Sequence, residues 1–361
     1  MKKVLVVLYK VKALYSGLGQ FSINFAKELM SQSPEDLNVV FLTPKNFELE
    51  NIKKFSAIKV SFQKRYFPMF NKSYDIWHGL QQFPSHFPNK KSKFILTVHD
   101  LNFLIEKDGL KRMMYLRKLQ KNIDKADYIT TISDYSKKNL EDHINLRGKS
   151  VLTIYNGIEV DQNAAGLKPV YMSDKKFFFS IGIFNEKKNF HCLLSLLKYL
   201  KDYQLVIAGD NNTRYGKLIK QHILANKLND RVILPGSIRT DEKLWLYKNC
   251  EAFLFPSLAE GFGMPAIEAM KFGKPVFLSK FTSLPEIGGE HAFYFDNFDE
   301  EYMSSFIQSN LSYYNNNKSY LSDQIIKHAE KFNWQNSITQ YLQLYYQIAN
   351  EIDAGQPTLK S

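Results

Sequence analysis

Short apolar runs, punctuated by glycine, proline and acidic residues, recur along this chain. Between them lie segments whose apolar positions repeat every three or four residues. A continuous apolar run of about five residues reads as a strand of a parallel sheet buried on both faces, and the longer period reads as a helix laid against it. Residues 4–8 (VLVVL), 39–42, 58–62, 76–78, 94–98 (FILTV) and 128–132 (YITTI) are such strands. Helical spacing appears at Phe21, Phe25 and Leu29, and again over 136–143. From Asp161 to Ser173 there is no period, and Gly166 and Pro169 mark the stretch as a linker. The alternation then restarts, with strands over 177–183, 204–208, 253–255 and 276–279 and a helix over 190–200. A strongly apolar helix runs from Trp334 to Ala349, and the residues after Asp353 are expected to be disordered. Alternating strands and helices predict an α/β fold of doubly wound parallel sheets.

The chain has 361 residues, long for a single core, which divides it into two domains at 1–165 and 166–332, with 333–361 as a last helix and tail. Hydrophobic residues make up 44%, enough to fill two interiors, but no apolar run approaches the ~20 residues of a membrane-spanning helix. The Met1-Lys2-Lys3 opening resembles a secretory signal, yet Lys10 and Lys12 interrupt its apolar run, and a buried first strand is the better reading. Two cysteines, Cys192 and Cys250, fit a reducing compartment and no metal pattern, so a cytoplasmic protein is expected.

The net charge of +12 is unevenly placed. Residues 1–170 carry 27 Lys+Arg against 16 Asp+Glu, and residues 171–361 carry 21 against 20. The first half is therefore expected to meet something anionic: a membrane surface, an anionic acceptor or a nucleic acid. Within it, residues 110–125 (LKRMMYLRKLQKNIDK), from Leu110 to Lys125, form a basic amphipathic helix in which Met113, Leu116 and Ile123 are the apolar positions. Such a stripe can lie on anionic lipid, or it can be a domain helix with a solvated cationic face.

The densest chemistry lies in residues 253–276 (FLFPSLAEGFGMPAIEAMKFGKPV). An apolar strand stops at Pro256, a loop carries Glu260, Gly261, Phe262 and Gly263, and Pro265 opens a helix. The unpaired N–H groups of a helix start, with its dipole, favour an anion, and the glycines let a ligand approach the backbone. Glu260 and Glu268 flank this helix start, suited to gripping sugar hydroxyls. A second glycine loop, Gly17 and Gly19, precedes the helix at Phe21, and His99 closes the strand at 94–98, where α/β sheets bind ligands. Lys188 occupies a strand-to-helix turn, well placed to neutralise a phosphate.

The string Glu260-Gly-Phe-Gly-Met-Pro-Ala-Ile-Glu268, followed by Gly273-Lys274-Pro275-Val276, resembles the E-x7-E signature of the retaining GT-B glycosyltransferases of family 4. The resemblance implies two Rossmann-like domains facing across a cleft, with the last helix crossing back to the first domain. It implies that Glu260 contacts the donor sugar, Glu268 the ribose, and Lys188 the diphosphate. Gly17, Gly19, Gly261, Phe262, Gly263 and Met264 would line the donor, Ile238 in residues 231–238 would lie against the base, and His99 in the Val-His-Asp-Leu string would face the sugar. Many members carry Arg, Ser or Thr where this chain has Ile183.

The activity implied is hexosyl transfer from a nucleotide-diphosphate sugar to a glycan or lipid-linked acceptor. Mannose is the first candidate sugar, and lipopolysaccharide, O-antigen or capsule synthesis the setting, at the inner face of the cytoplasmic membrane. No cofactor and no metal are expected. The alternatives are a basic nucleic-acid-binding module, which leaves Glu260 and Glu268 unexplained, and a glycoside phosphorylase on the same fold, for which no cofactor lysine site is visible.

Overall fold

Strand β1 (Lys2–Val7) shows how a run of apolar residues is used twice. Its side chains alternate between the two faces of the sheet. Val4 and Val6 enter one core with Phe21, Phe25, Trp334, Ile338 and Tyr345, while Leu5 and Val7 enter another with Trp77, Leu119, Ile123 and Leu140. Both faces are buried, so the polar alternation of a half-exposed strand is absent, as the sequence predicts.

The structure, a computed structural model, describes residues 1–8, 17–44, 56–60 and 74–355. The predicted strand end at Phe62, Ser16 of the first glycine loop and residues 356–361 lie outside the described residues. The chain forms two units, Met1–Gly157 with Phe332–Ser361, and Ile158–Lys331. The sequence had put these breaks at 165/166 and 332/333. The linker expected over 161–173 is irregular but belongs to the second unit, where Leu167 N donates to Asp241 O at 3.1 Å.

In the first unit β1 is followed by β2 (Leu37–Thr43), β3 (Ser56–Lys59), β4 (Ile76–Gly79), β5 (Lys93–Val98), β6 (Tyr128–Thr131) and β7 (Val151–Thr153). Their spatial order is β3-β2-β1-β4-β5-β6-β7, with parallel pairing throughout. The terminal helix Trp334–Asp353 packs on this unit, against the helix Gly17–Gln32. A Cβ on Gly157 would stand 2.3 Å from the Trp334 backbone, so only glycine admits that helix start.

The second unit repeats the plan with β8 (Phe177–Ile181), β9 (Gln204–Ala208), β10 (Val232–Gly236), β11 (Ala252–Phe255), β12 (Val276–Ser279) and β13 (Phe293–Phe295), ordered β10-β9-β8-β11-β12-β13. The order reverses direction at β8 and β11, and at that switch point the carboxyl ends of the strands leave room for a ligand. Several boundaries depart from the sequence reading. Strand β8 ends at Ile181 rather than 183, and the helix expected over 190–200 is a short helix, His191–Ser195, continued by a 3-10 turn, Leu196–Lys198. Met113 is exposed, not a core position of its helix, which buries Leu119, Asn122 and Ile123 instead. No helix among the described residues is long and apolar enough to cross a membrane.

Candidate functional site

Two loops leave the switch point of the second sheet side by side. The first follows β8, passes through a 3-10 turn, Glu186–Lys188, and ends on Asn189, which has a left-handed φ of 55°. The second follows β11 and runs from Pro256 to Gly263. Leu258 N donates to Lys187 O at 2.7 Å, and Ser257 Oγ lies 3.1 Å from the same oxygen, which ties the loops together.

Across this join Lys188 Nζ donates to Glu260 Oε1 at 2.5 Å. Both side chains are nearly out of water, 11% and 13% exposed. Ser257 Oγ gives Glu260 Oε1 a second bond at 2.6 Å, and Lys188 Nζ lies 4.6 Å from the centre of the Phe255 ring. The lysine stem lies along Gly182, where a Cβ would meet Lys188 Cε at 2.9 Å. Removing two charges from water is expensive unless they compensate each other, and an oppositely charged pair here does so. Flanking the lysine, Asn185 Oδ1 and Asn189 Nδ2 are buried without a partner among the described residues. Buried polar atoms are seldom left so, and unpaired ones call for an explanation.

The glycine loop is fixed from the other side. Glu260 N donates to Thr282 Oγ1 at 2.9 Å, and Ser283 Oγ donates to Phe262 O at 2.9 Å and reaches Glu260 O at 3.1 Å. Gly263 N-caps the helix Met264–Lys271 with φ 113°, and a Cβ there would meet Leu284 at 2.8 Å. Helix position one is therefore Met264, and Pro265, expected to open the helix, is second. Neither loses a helix bond by this, since first-turn N–H groups have no intrahelical partner. The Phe262 side chain is buried, which leaves it a packing part in the loop.

Glu268, five residues into that helix, has both oxygens engaged. Lys243 Nζ donates to Oε1 at 2.9 Å and Tyr247 OH to Oε2 at 2.8 Å. Burial first, then the Glu268 charge, hold the Tyr247 phenol well above its usual pKa, so it stays a neutral donor. Its ring is wedged between Phe179 and Phe253, 5.0 and 5.5 Å away. Ile238, half-buried after β10, lies two strands from β8 in the same sheet.

The remaining candidates belong to the first unit. Gly17 starts the helix Gly17–Gln32, and Gly19 is buried in its first turn. His99, at the end of β5, bonds Leu80 O through Nε2 at 2.8 Å, with its ring edge-on to Phe21 at 4.6 Å. A carbonyl can only accept, so Nε2 carries the proton. Burial draws the His99 pKa down to about 4, partly opposed by the Leu80 bond. The ring is neutral near pH 7, a hydrogen-bonding group rather than a proton carrier.

The second unit thus unites Lys188, Glu260, Gly261 and Gly263 on adjoining loops. The sequence did not reveal Ser257, Thr282, Lys243 or Tyr247. Tyr247 carries no local signal, because it reaches Glu268 from another helix. Among the described residues no three His, Cys, Asp or Glu side chains converge as metal ligands.

Residues 168–332 match the family model of glycosyl transferases group 1. The O-antigen chain mannosyltransferase B of Escherichia coli is 23% identical over 379 residues, covering 95% of this chain and 99% of that protein. Sucrose-phosphate synthase of Thermosynechococcus elongatus superposes with a TM-score of 0.75 at 17% identity, covering 97% of this chain and 100% of that one. Anabaena HepE, crystallised with UDP and glucose, gives 0.74 at 17% identity, covering 96% and 100%. The fold is GT-B, and the family match and the mannosyltransferase likeness support a glycosyltransferase.

Proposed function

We propose that the chain is a retaining glycosyltransferase of family 4 that moves a hexose, mannose first, from a nucleoside-diphosphate sugar to a hydroxyl of a glycan or lipid-linked acceptor in O-antigen, lipopolysaccharide or capsule synthesis. The observation that carries this reading is the buried Lys188–Glu260 pair at the switch point, beside a helix started by Gly263. The mannosyl likeness supports the choice of sugar. HepE's UDP supports a nucleoside diphosphate at this kind of fold without fixing the base.

Lys188 has three N–H donors, and Glu260 takes one. The others can meet the diphosphate, whose negative charge grows as the glycosidic bond breaks. Preorganised donors of this kind are among the largest contributions to catalysis, and losing one costs about 3 kcal/mol. Glu260, held at Oε1 by Ser257 and Lys188, keeps Oε2 for sugar hydroxyls. Glu268, fixed by Lys243 and Tyr247, serves the ribose. In a retaining reaction the acceptor hydroxyl approaches from the face the diphosphate leaves, and the departing phosphate takes its proton. The role given to His99 rests on the resemblance alone. With Lys188 supplying the positive charge, transfer is expected to persist in EDTA. The buried thiols Cys192 and Cys250 agree with a cytoplasmic enzyme.

The test is a panel of GDP-mannose, UDP-glucose, ADP-glucose and dTDP-glucose, scored by thermal shift and by sugar release. GDP-mannose is expected to stabilise most. Glu260→Ala and Lys188→Ala should each lower turnover by a hundredfold or more, for Lys188 in line with the ~3 kcal/mol of a lost donor, while the fold survives. Near-normal turnover in Glu260→Ala, or stabilisation by none of the four, overturns the proposal.

A further inference from the structure

The helix Gly109–Lys125 buries Leu119, Asn122 and Ile123 in its own unit, and Tyr115 packs on Phe83 and Phe103 beside them. On the opposite side Leu110, Met114, Arg117, Lys121 and Lys125 follow one another at spacings of three or four residues, which aligns them on a single outward stripe. Its first turns are apolar. Leu110 is 80% exposed, Met114 66%, Met113 48%, and Ile105 just before the helix 54%. Single exposed apolar residues are ordinary, but four together at one end of a helix mark an interaction surface.

The charge around this tip says what covers it. Lys111, Arg117, Lys118, Lys121 and Lys125 form no ion pair among the described residues; Lys118 and Lys125 lie over the rings of Phe83 and Phe87. The nearby acids are occupied, Asp108 by Arg112 at 3.3 Å and Asp124 by Arg147 at 3.6 Å. An apolar end continued by unpaired cations is complementary to the two layers of an anionic bilayer surface, acyl boundary and headgroups. A nucleic acid would call for free aromatic platforms, and Tyr115, the ring beside the exposed leucine, isoleucine and methionines, is packed against Phe83 and Phe103 at 5.5 and 5.4 Å.

We infer that this face docks the protein on an anionic lipid bilayer, with Leu110, Met113 and Met114 entering the interface and Lys111, Arg117 and Lys121 meeting the headgroups. The helix lies on the surface, in keeping with the absence of a membrane-crossing helix among the described residues. The inference goes beyond the transfer reaction and stands apart from it, because vesicle binding and donor binding are read separately.

The experiment is sedimentation of the full chain with vesicles of phosphatidylcholine, with or without phosphatidylglycerol, at 0.05 and 0.15 M salt. Wild type is expected to sediment only with the anionic vesicles. Each cation near such a surface is worth roughly fivefold in partition, so Lys111→Ser/Arg117→Ser/Lys121→Ser should weaken it on the order of a hundredfold. Leu110→Ser/Met113→Ser/Met114→Ser should retain binding at the lower salt and lose it at the higher. Unfolding melts that match wild type confirm that both variants are folded. The inference fails if wild type stays in the supernatant with anionic vesicles or if either triple variant binds as wild type does. It also fails if single-stranded oligonucleotide binding shows the same dependence on Leu110, Met113 and Met114.

Discussion

Gly182 decides where Lys188 can lie. It follows β8, and its missing side chain leaves the groove along which the lysine stem runs to Glu260. A methyl there would stand 2.9 Å from Lys188 Cε and 3.4 Å from Nζ. The clash is with the end of a flexible chain, so the fold can yield, but the ion pair cannot stay where it is. Gly182→Ala is therefore expected to change stability by about 1 kcal/mol or less while lowering kcat/KM at least tenfold, the cost of moving one charge-assisted donor by part of an ångström. Unfolding melts and donor kinetics on the same preparation check this, and unchanged kinetics would mean that the lysine position is not critical. At this scale the sequence was partly legible. Lys188 and Glu260 stood out as chemistry in a turn and a glycine loop, but their pairing lies 72 positions apart in the chain and needed the fold to bring it about. Ser257, whose hydroxyl also bonds Glu260, looked like any loop serine.

At the scale of elements, the helix Met264–Lys271 and the helix Thr240–Asn249 work as a couple. The first carries Glu268, and the second carries the two groups that fix it, Lys243 and Tyr247. The aromatic packing of Tyr247 against Phe179 and Phe253 aims its hydroxyl, so Tyr247→Phe keeps the ring and deletes only the bond. A hydrogen bond to a charged group is worth about 1.5–3 kcal/mol. If Glu268 binds the donor ribose in ground and transition states alike, that loss should appear as a rise of about tenfold or more in donor KM, with kcat nearly unchanged. A fall in kcat at constant KM would assign Glu268 to the chemical step instead. Strands were the most legible elements, since runs such as FILTV and QLVIA are apolar on both faces and fall where the sequence put them. Helix ends were less so. The short helix His191–Ser195 yields to a 3-10 turn that periodicity does not signal, and Met113 satisfies a helical period yet faces outward.

For the whole molecule, the two units repeat one strand order but are expected to differ in how they respond to acid. In the first, the terminal helix closes a core in which His78 is fully enclosed, bonded to Tyr345 OH at 2.7 Å and Thr97 Oγ1 at 2.8 Å. Tyr345 lies within the apolar helix that the sequence predicts over 334–349, but its bond to His78, 267 positions away, is a product of the fold. Burial, then the charge of neighbouring His99, push the His78 pKa down to about 3, and burial pushes that of His99 down to about 4. Both are depressed from an ordinary value of 6.5, so the unfolded chain binds more protons below that pH. Stability from these two rings is complete above pH 6.5 and is lost as pH falls toward 4 and below. At 1.36 kcal/mol per unit each contributes a few kcal/mol, a large share of the 5–15 kcal/mol that holds a domain together. In the second unit burial also lowers the pKa of His191, which is exposed, and of His328, where the bond to Ile287 O opposes it, so its loss should be smaller. Acid is therefore expected to separate the unfolding of the two units, the first melting earlier. Tryptophan fluorescence can follow it, because Trp77 and Trp334 are buried in the first unit and Trp245 belongs to the second. In a Trp245→Phe variant the signal reports the first unit alone, and its midpoint should drop by more than 10 °C between pH 7.5 and 4.5 while the second calorimetric transition moves less, several kcal/mol being that large a fraction of the total. Equal shifts in both transitions would remove the two buried rings as the cause.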